Sequence, residues 1–276
     1  MIDVHPTGPH ARLVPVEKPG GTRWLAVLDP WATASYTTAV AAVARTIEAS
    51  LVDAVVANRV TAVRGPTLRL EPWRSARARF LLEARQRASA CGALLLADVR
   101  DCYPSIRPPA VEERLRAIGC PGAAVHNLLD LLAGFETEGI PGLPVGPEPS
   151  AVLANVVLAV GDEAVARCGA GHLRWVDDFV VFTDDVRHAR CVLGRLRAGL
   201  AEVGLSLSGR KTRILEEPSA IRKTVVSDAV SEGVARYHRR ARAHDLPRLE
   251  AVHALPPADG GVGPRRRAPR GARGGG

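Results

Sequence analysis

The stretch His172-Leu-Arg-Trp-Val-Asp-Asp-Phe-Val-Val-Phe182 sets two adjacent carboxylates between two apolar segments. Apolar runs on either side of a short polar turn predict a β-hairpin with Asp177 and Asp178 at its tip. Two like charges side by side repel each other, and Asp is depleted in strands. A divalent cation that neutralises the pair would explain both residues. The stretch therefore predicts a sheet whose hairpin carries a metal site.

A third acid follows another apolar run, Gly92-Ala-Leu-Leu-Leu-Ala-Asp98. Such a run is typical of a buried strand, and its C-terminal end is where sheets commonly place ligands. Asp98 beside Asp177 and Asp178 would be able to hold two Mg²⁺ ions about 3.5–4 Å apart, the arrangement of in-line phosphoryl transfer. Metal-dependent phosphoryl transfer is therefore the central hypothesis.

Adjacent acids are also common in solvated turns, and the pair Asp184-Asp185 provides a comparison within the chain. This pair follows Thr183 and precedes a helical pattern, which predicts an N-cap and a first-turn acid that complement the helix dipole. Asp177-Asp178 alone would be interpreted as a turn too. Its apolar flanks and the acid upstream favour the metal site, and we assign no catalysis to Asp184-Asp185.

Four segments with recognisable patterns follow one another along the chain: Asp98-Val-Arg-Asp-Cys-Tyr103, Gly142-Leu-Pro-Val-Gly-Pro-Glu-Pro-Ser-Ala-Val-Leu-Ala-Asn155, Trp175-Val-Asp-Asp178 and Gly204-Leu-Ser-Leu-Ser-Gly-Arg-Lys-Thr212. In this order they resemble the catalytic motifs of the reverse transcriptases. The resemblance covers roughly Arg59 to Thr212. It implies an α+β right-hand polymerase fold, with fingers, palm and a short or incomplete thumb. It also implies an RNA-directed DNA polymerase, which is a nucleotidyltransferase.

The resemblance implies roles for the acids. Asp98 and Asp177 would bind both metal ions, Asp178 would be the weaker third acid, and the Val99 carbonyl would be a backbone ligand. The implied cofactors are two Mg²⁺ ions, for which Mn²⁺ can substitute. Lys211 would lie near the triphosphate and protonate the pyrophosphate leaving group, although without its motif it would be interpreted as a surface lysine.

The same resemblance implies substrate contacts. Tyr103 would be a steric gate, with its ring where a ribose 2′-OH would project. Arg74 and Arg77, three residues apart on a predicted helix face, are candidates to bind the incoming phosphates because guanidinium forks match phosphate oxygens. The sequence does not choose between the two arginines. Outside this context, Tyr103 would be a core aromatic and the arginines a solvated face.

The second motif is a Gly/Pro-rich turn that leads into a helix, and we expect Pro144, Val145, Gly146 and Asn155 to face the substrate. Many reverse transcriptases have Gln at the position of Val145, where it contacts the incoming nucleotide. With the continuation Gly146-Pro-Glu-Pro-Ser150, the turn is more similar to bacterial reverse transcriptases of the antiphage-defence and abortive-infection groups. Template-independent DNA synthesis therefore stays open beside templated copying.

Composition agrees with a globular nucleic-acid enzyme. The chain has 276 residues, 46% of them hydrophobic, and a net charge of +8 that favours a polyanionic partner. The expected partners are an RNA template, a DNA or RNA primer and deoxynucleotide triphosphates. The tail Pro264–Gly276 carries five arginines and no acid, and its Gly and Pro content predicts disorder.

The five cysteines are an odd number without C-x-x-C spacing, so they indicate neither a zinc site nor a disulfide framework. Free thiols fit a reducing cytoplasm. The N-terminus lacks a basic segment followed by an apolar run, and no stretch of about 18 uncharged apolar residues is present. We therefore expect a cytoplasmic protein without a membrane partner.

Together with patterning, the resemblance implies four regions: the N-terminal segment and fingers at 1–90, the palm with inserted fingers helices at 91–215, a remnant or minimal thumb at 216–255, and a disordered tail at 256–276. The predicted helices are 33–60, 71–90, 109–118, 123–135, 187–203 and a thumb helix at 229–244. The predicted strands include 24–28 and 67–70. So short a thumb would be minimal, supplied by a partner protein or lost through truncation, and a non-coding RNA is a further candidate partner.

Two alternatives remain open from the sequence. The short thumb favours a non-catalytic palm remnant that binds nucleic acid through its basic face, whereas the intact acids disfavour it. A nucleotide cyclase on a related palm is disfavoured by Tyr103 and by the turn at 142–150.

Overall fold

Strands and helices are interspersed along the computed structural model, which describes residues 10–18 and 21–226. The strands are β1 (Ala11–Lys18), β2 (Gly21–Leu28), β3 (Val60–Arg64), β4 (Thr67–Leu70), β5 (Ala93–Asp98), β6 (Gly171–Trp175), β7 (Asp178–Thr183) and β8 (Arg213–Leu215). The helices are α1 (Pro30–Ser50), α2 (Trp73–Ala88), α3 (Cys102–Ser105), α4 (Pro108–Ala117), α5 (Gly122–Thr137), α6 (Glu148–Ala166), α7 (Val186–Glu202) and α8 (Pro218–Val226).

An antiparallel sheet in the order β6-β7-β5-β8 lies at the centre. Every residue of β5 is buried, as its uninterrupted apolar sequence predicts. One face of the sheet packs on α6 and α7, where Leu95 and Val181 join the main core. On the other face, Leu96 and Val180 contact residues of α2 and α8. The sheet is thus covered on both sides, and only its ends are open to ligands.

Helix α6 is the core helix of the domain. It is long and apolar enough to cross a membrane by composition, but 83% of its apolar window is buried inside the protein, as in the core helix of a globular domain. Gly161 permits its close approach to β7, because a Cβ at this position would lie 2.7 Å from Cζ of Phe179. The segment therefore belongs to the packed interior.

Two hairpins flank the central sheet: β1 pairs with β2, and β3 pairs with β4. Helix α1 begins after Asp29, whose Oδ1 accepts a hydrogen bond from the Ala32 amide at 2.6 Å. The predicted helix 33–60 is too long, since α1 ends at Ser50. The chain beyond it turns to bind the backbone of Arg174, which donates to the Ala54 carbonyl at 2.7 Å and accepts from the Val56 amide at 3.0 Å.

Most other predicted elements are confirmed with small boundary shifts. The helices predicted at 71–90, 109–118, 123–135 and 187–203 are α2, α4, α5 and α7, and the acidic hairpin is β6–β7. Helix α8 was not predicted. The thumb helix at 229–244 and the tail at 256–276 lie outside the described residues. The four-region division of the chain remains a prediction.

Candidate active site

Strand register brings the predicted acids together at one end of the sheet. Asp98, the last residue of β5, lies directly opposite Asp178, the first residue of β7. Residues opposed in this way project to the same face. Trp175 also pairs with Asp178, so Val176 and Asp177 form the two-residue turn between β6 and β7. The Asp177 carbonyl accepts a hydrogen bond from the Val99 amide at 3.1 Å, which attaches the turn to the end of β5.

The carboxyls of this cluster disturb one another. Burial, followed by the charge of Asp98, raises the pKa of Asp177 to about 6. Burial and the charges of Asp177 and Asp98 raise the pKa of Asp178 well above its ordinary value. Both side chains keep part of their surface exposed, so a ligand can reach them. When carboxyls are this crowded, a nearby positive charge is needed to stabilise their ionised forms.

Lys211 supplies part of that charge. The preceding segment runs beside the end of β5, where the Ser208 amide donates to the Asp98 carbonyl at 2.7 Å. Lys211 Nζ then donates to Asp98 Oδ2 at 2.5 Å. Burial lowers the pKa of Lys211, but the contact with Asp98 and the neighbouring acids outweigh it, so the pKa lies above its ordinary value. The fourth motif thus meets the first and the third in space.

The cluster fits a divalent cation in its donor chemistry. Carboxylate oxygens are the hard ligands that Mg²⁺ prefers, and the excess of negative charge favours a cation. Within the described part of the chain, no three His, Cys, Asp or Glu side chains already have the arrangement of a metal site. Asp98, Asp177 and Asp178 are the residues that would hold the metal. The Val99 carbonyl stays a predicted ligand.

Tyr103 and the second motif also meet. Tyr103 lies half-buried in α3, and its carbonyl accepts from the Leu143 amide at 2.9 Å. Gly142 has φ +62°, and a Cβ there would lie 2.6–2.8 Å from the carbonyl oxygens of Tyr103, Pro104 and Ile106. Only glycine allows this approach without strain. The glycine therefore fixes the turn of the second motif against the residue predicted to select the sugar.

The turn at 142–147 is held from its other side by β2. Pro144 is buried and Gly146 is exposed, while the half-buried Val145 accepts a hydrogen bond through its carbonyl from the Ala26 amide at 2.9 Å. On the same strand, Arg23 lies near enough to Asp177 for its charge to lower the pKa of that carboxyl, against the larger effects that raise it. The sequence contained no motif for Arg23, because only tertiary packing brings this hairpin to the acids.

The two arginines of α2 do not share a solvent-facing surface, which corrects the prediction. Arg77 is only 7% exposed, and its guanidinium carbon lies 5.1 Å and 5.3 Å from the ring centroids of Phe80 and Trp175. Arg74 is exposed, with its guanidinium 5.9 Å from the Trp73 ring. A spacing of three puts two residues near one face but does not say how that face packs. Arg77 thus supports the strand that leads to the acids, and Arg74 remains available to phosphates.

The prediction that Asn155 faces the substrate is wrong in this structure. Asn155 is 1% exposed. Its amide nitrogen donates to the Ala57 carbonyl, and its amide oxygen accepts from Arg174 Nη1, both at 3.0 Å. Both ends of the side chain are therefore used inside the protein. Arg174 itself is fully buried and was missed, although an arginine inside an otherwise apolar strand was a visible signal.

An antiparallel sheet that presents three carboxyls and a lysine at one end is the arrangement found in polymerase palms, so the fold and site place the chain in the class of palm-containing proteins. The family model described as "Reverse transcriptase (RNA-dependent DNA polymerase)" matches residues 39–230. The chain belongs to this family. The predicted family and right-hand fold are confirmed.

A solved structure agrees on the fold. Telomerase from Candida albicans, in complex with a TWJ fragment of telomeric RNA, matches with TM-score 0.50 and 11% identity over 76% of this chain and 42% of that one. Apo telomerase from Candida tropicalis, truncated from its C-terminal domain, matches with TM-score 0.49 and 13% identity over 77% and 51%. The chain thus spans about half the length of these telomerases or less. No curated protein matches the sequence.

Proposed function

We propose that this chain adds deoxynucleotides to a primer 3′ end on an RNA template, by two-metal phosphoryl transfer. The observation that carries the proposal is the meeting of Asp98, Asp177 and Asp178 with Lys211 at one end of the sheet. Reverse transcriptases generally use divalent metal ions and bind nucleotides. The function follows from this family together with the acid cluster.

Asp98 and Asp177 would hold both Mg²⁺ ions, with Asp178 as the third acid and the Val99 carbonyl as a backbone ligand. When bound, Mg²⁺ or Mn²⁺ would lower the pKa of the primer 3′-hydroxyl and neutralise the charge that develops on the pyrophosphate. The protein keeps its carboxyls on one face through strand register. Lys211 would donate a proton to the pyrophosphate oxygen as it leaves.

Substrate selection would involve residues around this cluster. Tyr103 would exclude the ribose 2′-OH, and the close approach of the Gly142 turn to its backbone carbonyl supports that role because it fixes the position of the Tyr103 backbone. Arg74 remains a candidate for the triphosphate, and Arg23 joins it because its charge acts at Asp177. Pro144, Val145 and Gly146 form the turn beside them.

Template-independent synthesis is the second candidate function, and Val145 favours it. A Gln side chain can hydrogen-bond an incoming nucleotide, whereas the Val side chain cannot, so the turn offers no side-chain hydrogen bond at this position. The similarity of this turn to antiphage-defence enzymes supports a role in phage defence. A non-coding RNA or a partner protein would act with the chain in the cytoplasm, without a membrane partner.

The test is incorporation of labelled deoxynucleotides by the purified full chain, with Mg²⁺ or Mn²⁺, with and without a primed RNA template. Template-dependent DNA is the expected product. DNA made without a template would favour the second candidate. Tight nucleic-acid binding without any product, with Mg²⁺ and with Mn²⁺, would favour the non-catalytic palm remnant and overturn the proposal.

A further inference from the structure

A buried polar network lies directly behind the acidic turn. Arg174 is completely buried in β6 and faces α6, where Asp162 is 2% exposed. Arg174 Nε donates to Asp162 Oδ1 at 2.9 Å and Nη2 donates to Oδ2 at 2.8 Å, while Nη1 donates to the Asn155 amide oxygen at 3.0 Å. The guanidinium fork is therefore fixed in one orientation by two side chains of one helix.

The network is ionic. Burial raises the pKa of Asp162, but Arg174 beside it and the hydrogen bond from His172 outweigh burial, so the pKa lies below its ordinary value. His172 Nε2 lies 3.0 Å from Asp162 Oδ1. A buried ion pair is often no more stabilising than apolar residues of the same volume. Stability alone therefore does not explain why a charged pair stands in the core.

A further hydrogen bond of the guanidinium suggests a reason. Arg174 Nη1 also donates to the carbonyl oxygen of Val176, at 3.0 Å. Val176 has φ +57°, a left-handed conformation that is strained for a β-branched residue. It is the first residue of a two-residue hairpin turn, and a positive φ at this position normally calls for glycine. A contact with the rest of the protein must therefore hold Val176 in this conformation. The residue that follows Val176 is Asp177, one of the acids of the cluster.

We propose that Arg174 is a positioning residue: its buried guanidinium, oriented by Asp162 and Asn155, holds the strained Val176 turn and thereby keeps Asp177 beside Asp98. Arg174 touches no substrate and acts only through the turn. The inference rests on the proposed function, in which Asp177 holds the metal ions and its position therefore matters for catalysis. On the opposite face of β6, Trp175 packs against Phe80 and Arg77, so the strand is held from both sides up to the turn.

The test is a double-mutant cycle between Arg174 and Val176. Arg174→Lys keeps the charge but loses the fork, so Val176 can relax and Asp177 can move. We expect kcat for deoxynucleotide incorporation to fall by about 10–100-fold, with KM changed little. The Mn²⁺ affinity of the nucleotide-free protein, measured by calorimetry, should fall as well. Adding Val176→Gly should recover several-fold in both quantities, since glycine adopts a positive φ without help.

A second arginine that binds the same helix provides the matched control. Arg114 Nη2 donates to Glu163 Oε1 at 2.6 Å, one residue beyond Asp162, and its Nε donates to the Val156 carbonyl at 3.4 Å, also on α6. Arg114→Lys should change stability without changing kcat or Mn²⁺ affinity, and Val176→Gly should rescue nothing in it. If Arg174→Lys does not fold, Asn155→Ser removes the amide that orients Nη1, together with the hydrogen bond from that amide to the Ala57 carbonyl. A smaller loss, again relieved by Val176→Gly, is then expected.

The possible outcomes separate the two proposals. If the wild type is active and the losses from Arg174→Lys, or from Asn155→Ser in its place, are the same with and without Val176→Gly, the positioning role is wrong and the network is structural only. A loss confined to KM would overturn it too. If the wild type neither incorporates nucleotides nor binds Mn²⁺, the proposed function fails and this inference fails with it. If Val176→Gly restores kcat and Mn²⁺ affinity in the Arg174→Lys or Asn155→Ser variant but not in Arg114→Lys, the result supports the proposal.

Discussion

The pairs Asp177-Asp178 and Asp184-Asp185 are the same dipeptide at the two ends of β7, yet their surroundings differ. At the second pair, the Asp184 side chain is 99% exposed, and Asp185 Oδ1 accepts from the His188 amide at 2.7 Å to cap α7. At the first pair, burial and, after it, the charge of neighbouring carboxylates that include Asp98 raise the pKa values of both acids. The second pair caps a helix, whereas the crowded negative charges of the first pair favour a bound cation.

The difference shows that two adjacent acids acquire chemistry from the strands next to them. Strand β7 is the same element for both pairs, but only at its first residue does β5 present another carboxyl. At its last residue, Thr183, the opposite residue is Ala93. The comparison can be tested by making the same substitutions in both pairs and measuring their effects.

The largest effect is expected from the double variants. Asp177→Asn with Asp178→Asn should lower incorporation by at least about 10³-fold, because metal ligands contribute several kcal/mol to transition-state stabilisation. Asp184→Asn with Asp185→Asn should keep incorporation within about 2-fold, since Asn is as good an N-cap as Asp. Primer-extension rates check both, and filter binding should show unchanged or slightly raised nucleic-acid affinity. Equal losses in the two double variants would remove the distinction.

Lys211 sharpens the comparison, because it contacts Asp98, the acid that distinguishes the first pair from the second. Lys211→Met should lower kcat by about 10²-fold, as expected when a general acid is lost. Lys211→Arg should retain part of the rate because it keeps the charge. The neighbouring Arg210→Met is the control and should change kcat little. Single-turnover incorporation rates provide the measurement, and a Lys211→Met rate equal to the control would contradict the role.

The sequence alone could predict only those parts of the candidate site that recognisable residue patterns mark. Asp98 and Asp177 could be placed together because an acid at the end of an apolar strand and acids at a hairpin tip are typical of a metal site, and because their motifs resemble those of one family. Arg77 was misplaced because helical spacing relates residues to each other but not to the surface they face. Asn155 was misassigned and Arg174 was missed for a related reason: their partners are distant in sequence, so only packing shows that their polar atoms meet inside.

Tyr103 tests whether the acid cluster faces the sugar of the incoming nucleotide. Tyr103→Ala should reduce the preference for deoxynucleotides over ribonucleotides by about tenfold or more, since the clash with the 2′-OH is removed. Tyr103→Phe keeps the ring and should keep the preference. The ratio of kcat/KM values for the two sugars is the quantity to measure. An unchanged ratio in the alanine variant would assign the gate to another residue.

The smallest effect concerns stability, and the two pairs should differ in its sign. Asp185→Ala removes a helix cap and should lower the free energy of unfolding by about 1 kcal/mol without changing incorporation. Asp184→Ala, at an exposed position, should stay within about 0.5 kcal/mol of the wild type.

Asp177→Asn should instead raise the free energy of unfolding in metal-free buffer near pH 7. The pKa of Asp177 is raised in the folded protein, so the ionised carboxylate is less favourable there than in the unfolded chain, and its removal relieves that cost. Partial exposure limits the gain to the order of 1 kcal/mol. Urea unfolding of both variants measures the contrast. A stability loss in Asp177→Asn equal to that of Asp185→Ala would mean that Asp177 stabilises the metal-free fold. That result would contradict the view that its charge serves to bind a cation.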